Sequence, residues 1–203
     1  MLPITTLKKF GLYIDEHFLS KETCMELCNE MKRSNKQAGN VFYQKSKREY
    51  KDSTLRKTQT CEVNNESHKV IAEKILSIKP TLEAFFHEQY SRTWEEPKFL
   101  EYTKGDYFLP HTDEQAHRKL NISIYLNNQT QMPEPSNRNY TGGELKIYNL
   151  VQSPKWKNRG FSIPGIQGML IAYPANLIHE VTAVETGCRY AIVSRFLDKA
   201  IEQ

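Results

Sequence analysis

Apolar residues recur at helical spacing in the first half of the chain and at every second position in the second half. We expect a short strand within residues 10–20, followed by a helix that Ser20 caps by accepting a bond from a backbone N–H. The apolar positions of that helix are Cys24, Leu27, Cys28 and Met31. A second helical stretch opens near Asn65 and should bend at Pro80, which cannot continue a regular helix.

From Phe99 onward the period of the pattern changes to two, which indicates strands. In the clearest case, one face carries apolar residues and the other carries Asn121, Ser123 and Tyr125. The apolar face consists of Leu120, Ile122, Ile124 and Leu126. This alternation is typical of a half-buried strand. Helices followed by many short strands predict one mainly β domain over residues 1–203, a sandwich or open barrel backed by helices.

Two polar segments interrupt these elements. Residues 43–57 are rich in Lys, Arg, Ser and Tyr, which favours a solvated, mobile loop or a substrate-facing loop with Arg56 as a contact. Residues 127–140 are polar, contain two prolines and lie between two predicted strands. They are interpreted either as a disordered insertion or as a lid over an active site.

Composition limits the classes of partner and compartment. The 28 Lys and Arg against 24 Asp and Glu give a net charge of +4, which does not favour nucleic acid as a partner. No apolar window is long enough to span a membrane, and the first residues lack the apolar run of a signal peptide. The cysteines contain no Cys-x-x-Cys pair, so we expect buried thiols in a reducing cytoplasm. They are Cys24, Cys28, Cys61 and Cys188.

The candidate chemistry lies in His111-Thr-Asp113 and the distant His179. Two imidazoles and one carboxylate can bind one face of a metal ion and leave the other face open, as in non-haem Fe(II) oxygenases. The same three groups can also bind zinc in a hydrolase. The triplet alone is weak evidence, because His-x-Asp arises often by chance.

Four longer motifs make residues 98–197 resemble the Fe(II)/2-oxoglutarate-dependent oxygenases, within the prolyl 4-hydroxylase-like group. They are Tyr102–Asp113, Leu120–Asn127, Gly142–Leu145, and His179 followed ten residues later by Arg189. The resemblance implies a double-stranded β-helix, which is a jelly-roll-like, cupin-like pair of sheets. Residues 1–97 would then supply an N-terminal strand and helices packed on one sheet.

The resemblance also implies roles for single residues. His111, Asp113 and His179 would bind Fe(II), whereas the nearby His117 does not match the motif. Arg189 and Tyr102 would hold the distal carboxylate of 2-oxoglutarate, through two parallel hydrogen bonds from the guanidinium. Many prolyl 4-hydroxylases carry Lys at the position of Arg189, so this Arg is a departure within the group.

The implied reaction is hydroxylation of an unactivated C–H bond with O2, releasing succinate and CO2, with ascorbate as an accessory reductant. Retention of Asp113 favours hydroxylation over halogenation. An amino acid or a residue in a peptide is the expected substrate, with prolyl or a related cyclic amino acid first. Arg195, with Arg56, would meet a substrate carboxylate, although a salt-bridged Arg195 is an equally weighted alternative.

Three rival functions stay open at the level of sequence. Arg189 with Arg195 resembles the paired arginines of the nucleic-acid oxidative demethylases of the same superfamily. A zinc-dependent hydrolase would need neither Arg189 nor Tyr102. A non-catalytic jelly-roll binding module would not turn over 2-oxoglutarate at all.

Overall fold

The computed structural model of the protein describes residues 3–39, 41–43, 48–50, 52–115, 117–132, 138–151, 156 and 158–199. The helices in these residues are α1 (Ile4–Lys9), α2 (Lys21–Arg33), α3 (Asn65–Ser77) and α4 (Lys79–Phe86). The strands of the first half are β1 (Tyr13–Asp15), β2 (Lys36–Ala38), β3 (Val41–Tyr43), β4 (Arg48–Tyr50), β5 (Arg56–Lys57), β6 (Gln59–Cys61) and β7 (Tyr90–Tyr102). Those of the second half are β8 (Tyr107–His111), β9 (Arg118–Tyr125), β10 (Thr141–Gly142), β11 (Leu145–Tyr148), β12 (Gly160–Ile163), β13 (Leu170–Pro174), β14 (His179–Val181), β15 (Val184–Thr186) and β16 (Arg189–Asp198).

Two sheets enclose the interior of the domain. The larger has seven strands in the order β1-β13-β9-β16-β7-β6-β2, and the smaller has five in the order β12-β11-β14-β8-β5. Side chains from both sheets line one interior cavity, including Tyr102 and Asn121 of the larger sheet and His179 of the smaller. This pair of facing sheets confirms the predicted jelly-roll architecture.

The helices begin and end where local chemistry favours it. Ser20 precedes α2 and accepts a hydrogen bond from the N–H of Thr23, as expected for a capping serine. The second helical stretch divides at Ile78, and Pro80 lies in the first turn of α4, where its missing N–H costs nothing. Both helix predictions are confirmed.

Helices α2, α3 and α4 cover the outer face of the larger sheet. One core cluster joins Cys24 and Met31 of α2 and Ile71 of α3 to Leu120 and Ile124 of β9. Burial of this apolar surface fixes which face of the sheet points away from the helices. Cys24, Cys28 and Cys61 are buried, and all four thiols are free.

The polar face of β9 differs from the prediction. Within Arg118–Tyr125, only Lys119 is exposed, so the expectation of a half-buried strand is wrong. Asn121 and Ser123 point into the interior cavity between the sheets. One face of β9 therefore packs against the helices, and the other face lines the polar cavity between the two sheets. Both faces are shielded from solvent.

The prediction of a loop over residues 43–57 is also wrong in part. The described residues of this segment include strands β4 and β5, and β5 joins the smaller sheet by pairing Arg56 with Phe108 of β8. Residues 44–47 and 51 lie outside the described residues. In the part of the chain that the structure describes, no helix is long and apolar enough to cross a membrane.

Candidate metal centre and cosubstrate pocket

His111 and His179 are direct neighbours across two antiparallel strands. His179 opens β14 and lies opposite His111 at the end of β8. The register then shifts, so that Val181 lies opposite Phe108. Residues three apart in a regular strand face opposite sides, but this bulge lets Phe108 stack on the His111 ring at a centroid distance of 3.5 Å.

Backbone carbonyl groups orient both imidazoles. Nδ1 of His111 lies 2.7 Å from the Leu109 carbonyl oxygen, and Nδ1 of His179 lies 3.0 Å from that of Leu177. When each Nδ1 donates to its carbonyl, Nε2 is left as the lone-pair donor of a neutral ring. Nε2 of His111 lies 4.0 Å from Oδ1 of Asp113, and Nε2 of His179 lies 3.5 Å from Oδ2 of the same carboxylate.

These three side chains form a set that suits a divalent metal ion. One potential ligand atom from each lies within 4.8 Å of the others. Among the described residues, no further His, Cys, Asp or Glu joins the set, so His117 is not part of it. Two imidazole nitrogens and one carboxylate oxygen suit Fe(II) and leave coordination positions for other ligands.

Burial and neighbouring charges keep the three groups in ligand form. Burial, aided by His179, lowers the pKa of His111 to about 3, so its ring is neutral at physiological pH. Burial opposes ionisation of Asp113, but the Arg195 guanidinium, together with His179 and His111, outweighs it and holds the pKa of that carboxyl well below its usual range. The site therefore offers one anion and at least one neutral imidazole.

Arg189 lies deeper in the interior, without a carboxylate. It is 2% exposed, and its guanidinium carbon lies 5.0 Å and 5.3 Å from the ring centroids of Tyr102 and Tyr125. Within the described residues, Arg189 forms no ion pair, and its Nε and the hydroxyls of Tyr125 and Tyr140 are buried without hydrogen-bond partners. A buried cation beside unsatisfied hydroxyls is costly in an empty pocket and fits a small anion.

The Gly-Gly pair of the Gly142–Leu145 motif closes over this arginine. A Cβ at Gly143 would meet Val184 Cγ2 at 2.9 Å, and Arg189 Cδ and Tyr140 Cε2 at 3.2 Å each. Gly143 also has a φ of 57°, which other residues rarely adopt. The motif thus allows the backbone to approach the Arg189 side chain closely.

A groove of about 360 Å³ opens the metal centre to the surface. His111 and Asp113 lie in its wall, and Arg56, Phe108 and Arg195 line both the groove and the inner cavity. Residues on its apolar side include Leu55, Leu109, Pro110 and Val193. Arg189 lines the inner cavity but not the groove, so the two spaces meet at His111 and Asp113.

The remaining predicted site residues, Tyr102, Arg56 and Arg195, all lie at the inner cavity or the groove. Tyr102 packs against Arg189, and Arg56 lies over the Phe108 ring at 4.8 Å, in the wall of the groove. Arg195 lies at the site, where it forms salt bridges with Asp113 and Glu95. This is the salt-bridged arrangement predicted from the sequence as the alternative to a substrate contact.

Sequence reasoning missed several residues of the site. Asn121 is buried in the inner cavity, and neither atom of its amide has a hydrogen-bond partner within the described residues. Glu95 and Arg118 form ion pairs next to Asp113. The alternation in β9 pointed to Asn121, whereas no pattern marked Glu95, which lies in a strand that was not predicted to begin before Phe99.

The described ends of the 127–140 segment lie away from the groove. Gln129 and Tyr140 form a bridge, and Asn127 donates to the carbonyls of Arg138 and Cys188. None of these residues lines the groove over the metal centre. Residues 133–137 lie outside the described residues, so the lid stays a prediction.

Comparisons with known proteins agree with this geometry. The sequence model of the 2OG-Fe(II) oxygenase superfamily matches residues 97–196, which hold all three candidate ligands and Arg189. The chain belongs to this superfamily. It is an enzyme of the dioxygenase class, and the cofactors of the family are Fe(II) and 2-oxoglutarate. A search of curated proteins returns no match to this 2OG-Fe(II) oxygenase.

Solved structures show where its fold recurs. A Trichoplax adhaerens prolyl hydroxylase in complex with a hypoxia inducible factor peptide has a TM-score of 0.70 at 17% identity, covering 98% of this chain and 90% of that one. A Pseudomonas putida prolyl-4-hydroxylase has a TM-score of 0.61 at 17% identity, covering 96% of each chain. The viral collagen prolyl hydroxylase of Paramecium Bursaria Chlorella virus-1, in a 2OG complex, has a TM-score of 0.56 at 18% identity, covering 93% and 96%.

Proposed function

We propose that this oxygenase hydroxylates an unactivated C–H bond of a peptidyl residue, with prolyl or a related cyclic residue as the first candidate. The observation that carries the proposal is the order of sites along one path. An open groove leads to His111 and Asp113, and Arg189, which has no carboxylate partner among the described residues, lies behind them. The groove can then take the substrate while the inner cavity takes the cosubstrate.

His111, Asp113 and His179 are proposed to hold Fe(II), and Arg189 with Tyr102 to hold the distal carboxylate of 2-oxoglutarate. Support comes from the oriented imidazoles, the ionised carboxyl and the buried guanidinium. A planar guanidinium matches a carboxylate, and the hydroxyls of Tyr125 and Tyr140 are buried beside it. Burial raises the pKa of both tyrosines, so they stay neutral donors.

In this family the loaded iron site couples decarboxylation of 2-oxoglutarate to succinate with hydroxylation of the substrate. The chain's own part is to position reactants and to exclude water from the inner cavity. Apolar side chains of Leu100, Leu145 and Val181 line that cavity beside the polar groups. They shield the space around Arg189 from solvent.

Two features favour a residue within a peptide over a free amino acid. The groove is open and is built from several chain segments, including 37–38, 55–60 and 108–115. Arg195, the expected partner of a free substrate carboxylate, already binds two protein carboxylates. The solved prolyl hydroxylase from Trichoplax adhaerens was crystallised with a peptide, which is a further reason to begin with peptides.

The test is succinate release by the iron-loaded enzyme, measured with and without ascorbate. The substrate panel contains proline-containing peptides with blocked ends, free imino acids and methylated oligonucleotides. We expect substrate-dependent succinate with the blocked peptides and a mass increase of one oxygen in the product. Turnover of the oligonucleotides alone would replace this proposal by oxidative demethylation, and turnover of free imino acids alone would show that the substrate is not peptidyl.

A further inference from the structure

Arg195 binds the candidate metal ligand Asp113 through one of its two oxygens. Its Nε and Nη2 donate to Oδ2 of Asp113 at 3.0 Å and 2.9 Å. Its Nη1 donates to Oε2 of Glu95 at 3.2 Å. The side chain of Arg195 is 13% exposed and that of Asp113 is 8% exposed, so these charged hydrogen bonds are shielded from solvent.

Arg118 completes a ring of four charged side chains. Its Nε donates to Oε1 of Glu95, and its Nη1 lies 3.7 Å from Oδ1 of Asp113. Both arginines and Glu95 stand on adjacent strands of the larger sheet, with Arg195 directly opposite Glu95 in register. The ring is thus anchored to hydrogen-bonded backbone, although Asp113 itself lies in the loop after β8.

The two oxygens of Asp113 are therefore not equivalent. A carboxylate oxygen accepts hydrogen bonds through two lone pairs, and Arg195 directs two N–H groups at Oδ2. Oδ1 receives no hydrogen bond from Arg195, and Arg118 lies beyond hydrogen-bond distance of it. Arg195 thus holds the carboxylate by Oδ2, and the two oxygens face the candidate ligands, with Oδ2 3.5 Å from Nε2 of His179 and Oδ1 4.0 Å from Nε2 of His111.

We propose that Arg195 is a positioning residue that holds the Asp113 carboxylate in place for the metal ion by binding Oδ2, with Glu95 fixing the guanidinium from its other side. This inference rests on the proposed metal site and extends it. Arg195 then acts before any cosubstrate or substrate binds. A contact to a substrate carboxylate, by contrast, would leave metal binding by the empty enzyme unchanged.

The test is Ni(II) binding to the metal-free enzyme, measured by calorimetry without 2-oxoglutarate or substrate. Partners of metal ligands typically contribute about 10- to 100-fold to metal affinity, so we expect a loss in this range for Arg195→Met. Arg195→Lys keeps one cationic donor and should recover part of the affinity. Glu95→Gln should lose less than Arg195→Met, because Arg195 keeps its bonds to Asp113.

Glu96→Gln is the matched control for Glu95→Gln. Glu96 is the next residue of β7, and its side chain is 70% exposed. It forms an ion pair with His68 and not with the four charged side chains around Asp113. We expect unchanged Ni(II) affinity. Circular dichroism accompanies every variant, and Arg195→Lys and Glu95→Gln still decide the matter if Arg195→Met does not fold.

A double-mutant cycle with Asp113→Asn separates positioning from general damage. Ni(II) binds imidazoles more tightly than Fe(II) does, which keeps a two-histidine site measurable. If Arg195 acts through Asp113, Arg195→Met should add no further loss in the Asp113→Asn background. Equal losses in both backgrounds, full affinity in folded Arg195→Met, or a wild-type enzyme that binds no Ni(II) would each overturn the inference. A wild-type enzyme that binds Ni(II) yet hydroxylates nothing would refute only the proposed reaction.

Discussion

Arg189 and Arg195 stand on the same strand and line the same inner cavity, but their surroundings are opposite. Arg195 is bound by Asp113 and Glu95. Arg189 is surrounded by tyrosines and has no carboxylate partner within the described residues. A buried charge is normally paired. We infer from this comparison that Arg189, which lacks a carboxylate partner among the described residues, marks the ligand pocket. Arg195, which is paired, belongs to the scaffold of the metal centre.

The contrast between the two arginines depends on the assignment of His111, Asp113 and His179 as the metal ligands. His111→Ala, Asp113→Ala and His179→Ala each remove one of three proposed ligands, so each should abolish stoichiometric Fe(II) binding and succinate release. Inductively coupled plasma mass spectrometry and a succinate assay give the two readouts. His117→Ala is the control, because His117 lies outside the ligand set, and it should bind iron as wild type does. Full activity in the ligand variants would move the metal centre elsewhere.

Arg189→Met tests whether Arg189 binds the distal carboxylate of 2-oxoglutarate. Removing one partner of a buried charged pair costs about 2–5 kcal/mol, so the KM for 2-oxoglutarate should rise roughly 30-fold or more. Fe(II) affinity in the absence of 2-oxoglutarate should stay close to wild type, since Arg189 contacts none of the three ligands. Steady-state kinetics and iron titration supply the measurements. An unchanged KM would assign Arg189 to the scaffold and remove the contrast with Arg195.

The same two arginines should differ in their contribution to stability. Arg195→Met leaves Asp113 and Glu95 without their shared cation, which typically costs about 3 kcal/mol or more. For a domain of this size we expect Tm to fall by roughly 6 °C or more. Arg189→Met removes a cation that has no anionic partner among the described residues, so its Tm should match or exceed that of wild type. Equal falls in Tm, measured calorimetrically without ligands, would contradict this reading.

Tyr140→Phe probes the smallest contribution to the pocket. Its hydroxyl is buried beside Arg189 and has no hydrogen-bond partner among the described residues, and a single hydrogen bond contributes about 0.5–1.5 kcal/mol. The KM for 2-oxoglutarate should therefore rise about two- to tenfold. Tyr148→Phe is the control, because that hydroxyl already donates to Glu180. If the two variants behave alike, Tyr140 does not contact the cosubstrate.

The sequence predicted those parts of the fold and site that depend on local pattern. Ser20 and Pro80 marked helix boundaries because capping and the missing N–H act over a few residues. The period of two in β9 found the strand, but could not show that its polar face points into a cavity instead of solvent. That distinction depends on the second sheet, which packs from elsewhere in the chain.

The ionic ring was beyond sequence reasoning for a similar reason. Glu95, Asp113 and Arg195 are far apart in the chain and meet only because β7 and β16 are paired and the loop after β8 folds over them. Arg195 lies six positions after Arg189, an even offset that agrees with both side chains lining the inner cavity. Which of the two already has an anion is a property of three-dimensional packing, and no spacing rule reports it.

The bulge between β8 and β14 makes metal binding a check on correct strand pairing. A slip of one residue turns a side chain to the opposite face of a sheet. Such a slip would separate His111 from His179, which face each other only in the native register. After refolding from denaturant, the amount of Ni(II) that the chain binds from solution should therefore report the fraction of molecules in the native register, because the two imidazoles form one site only there.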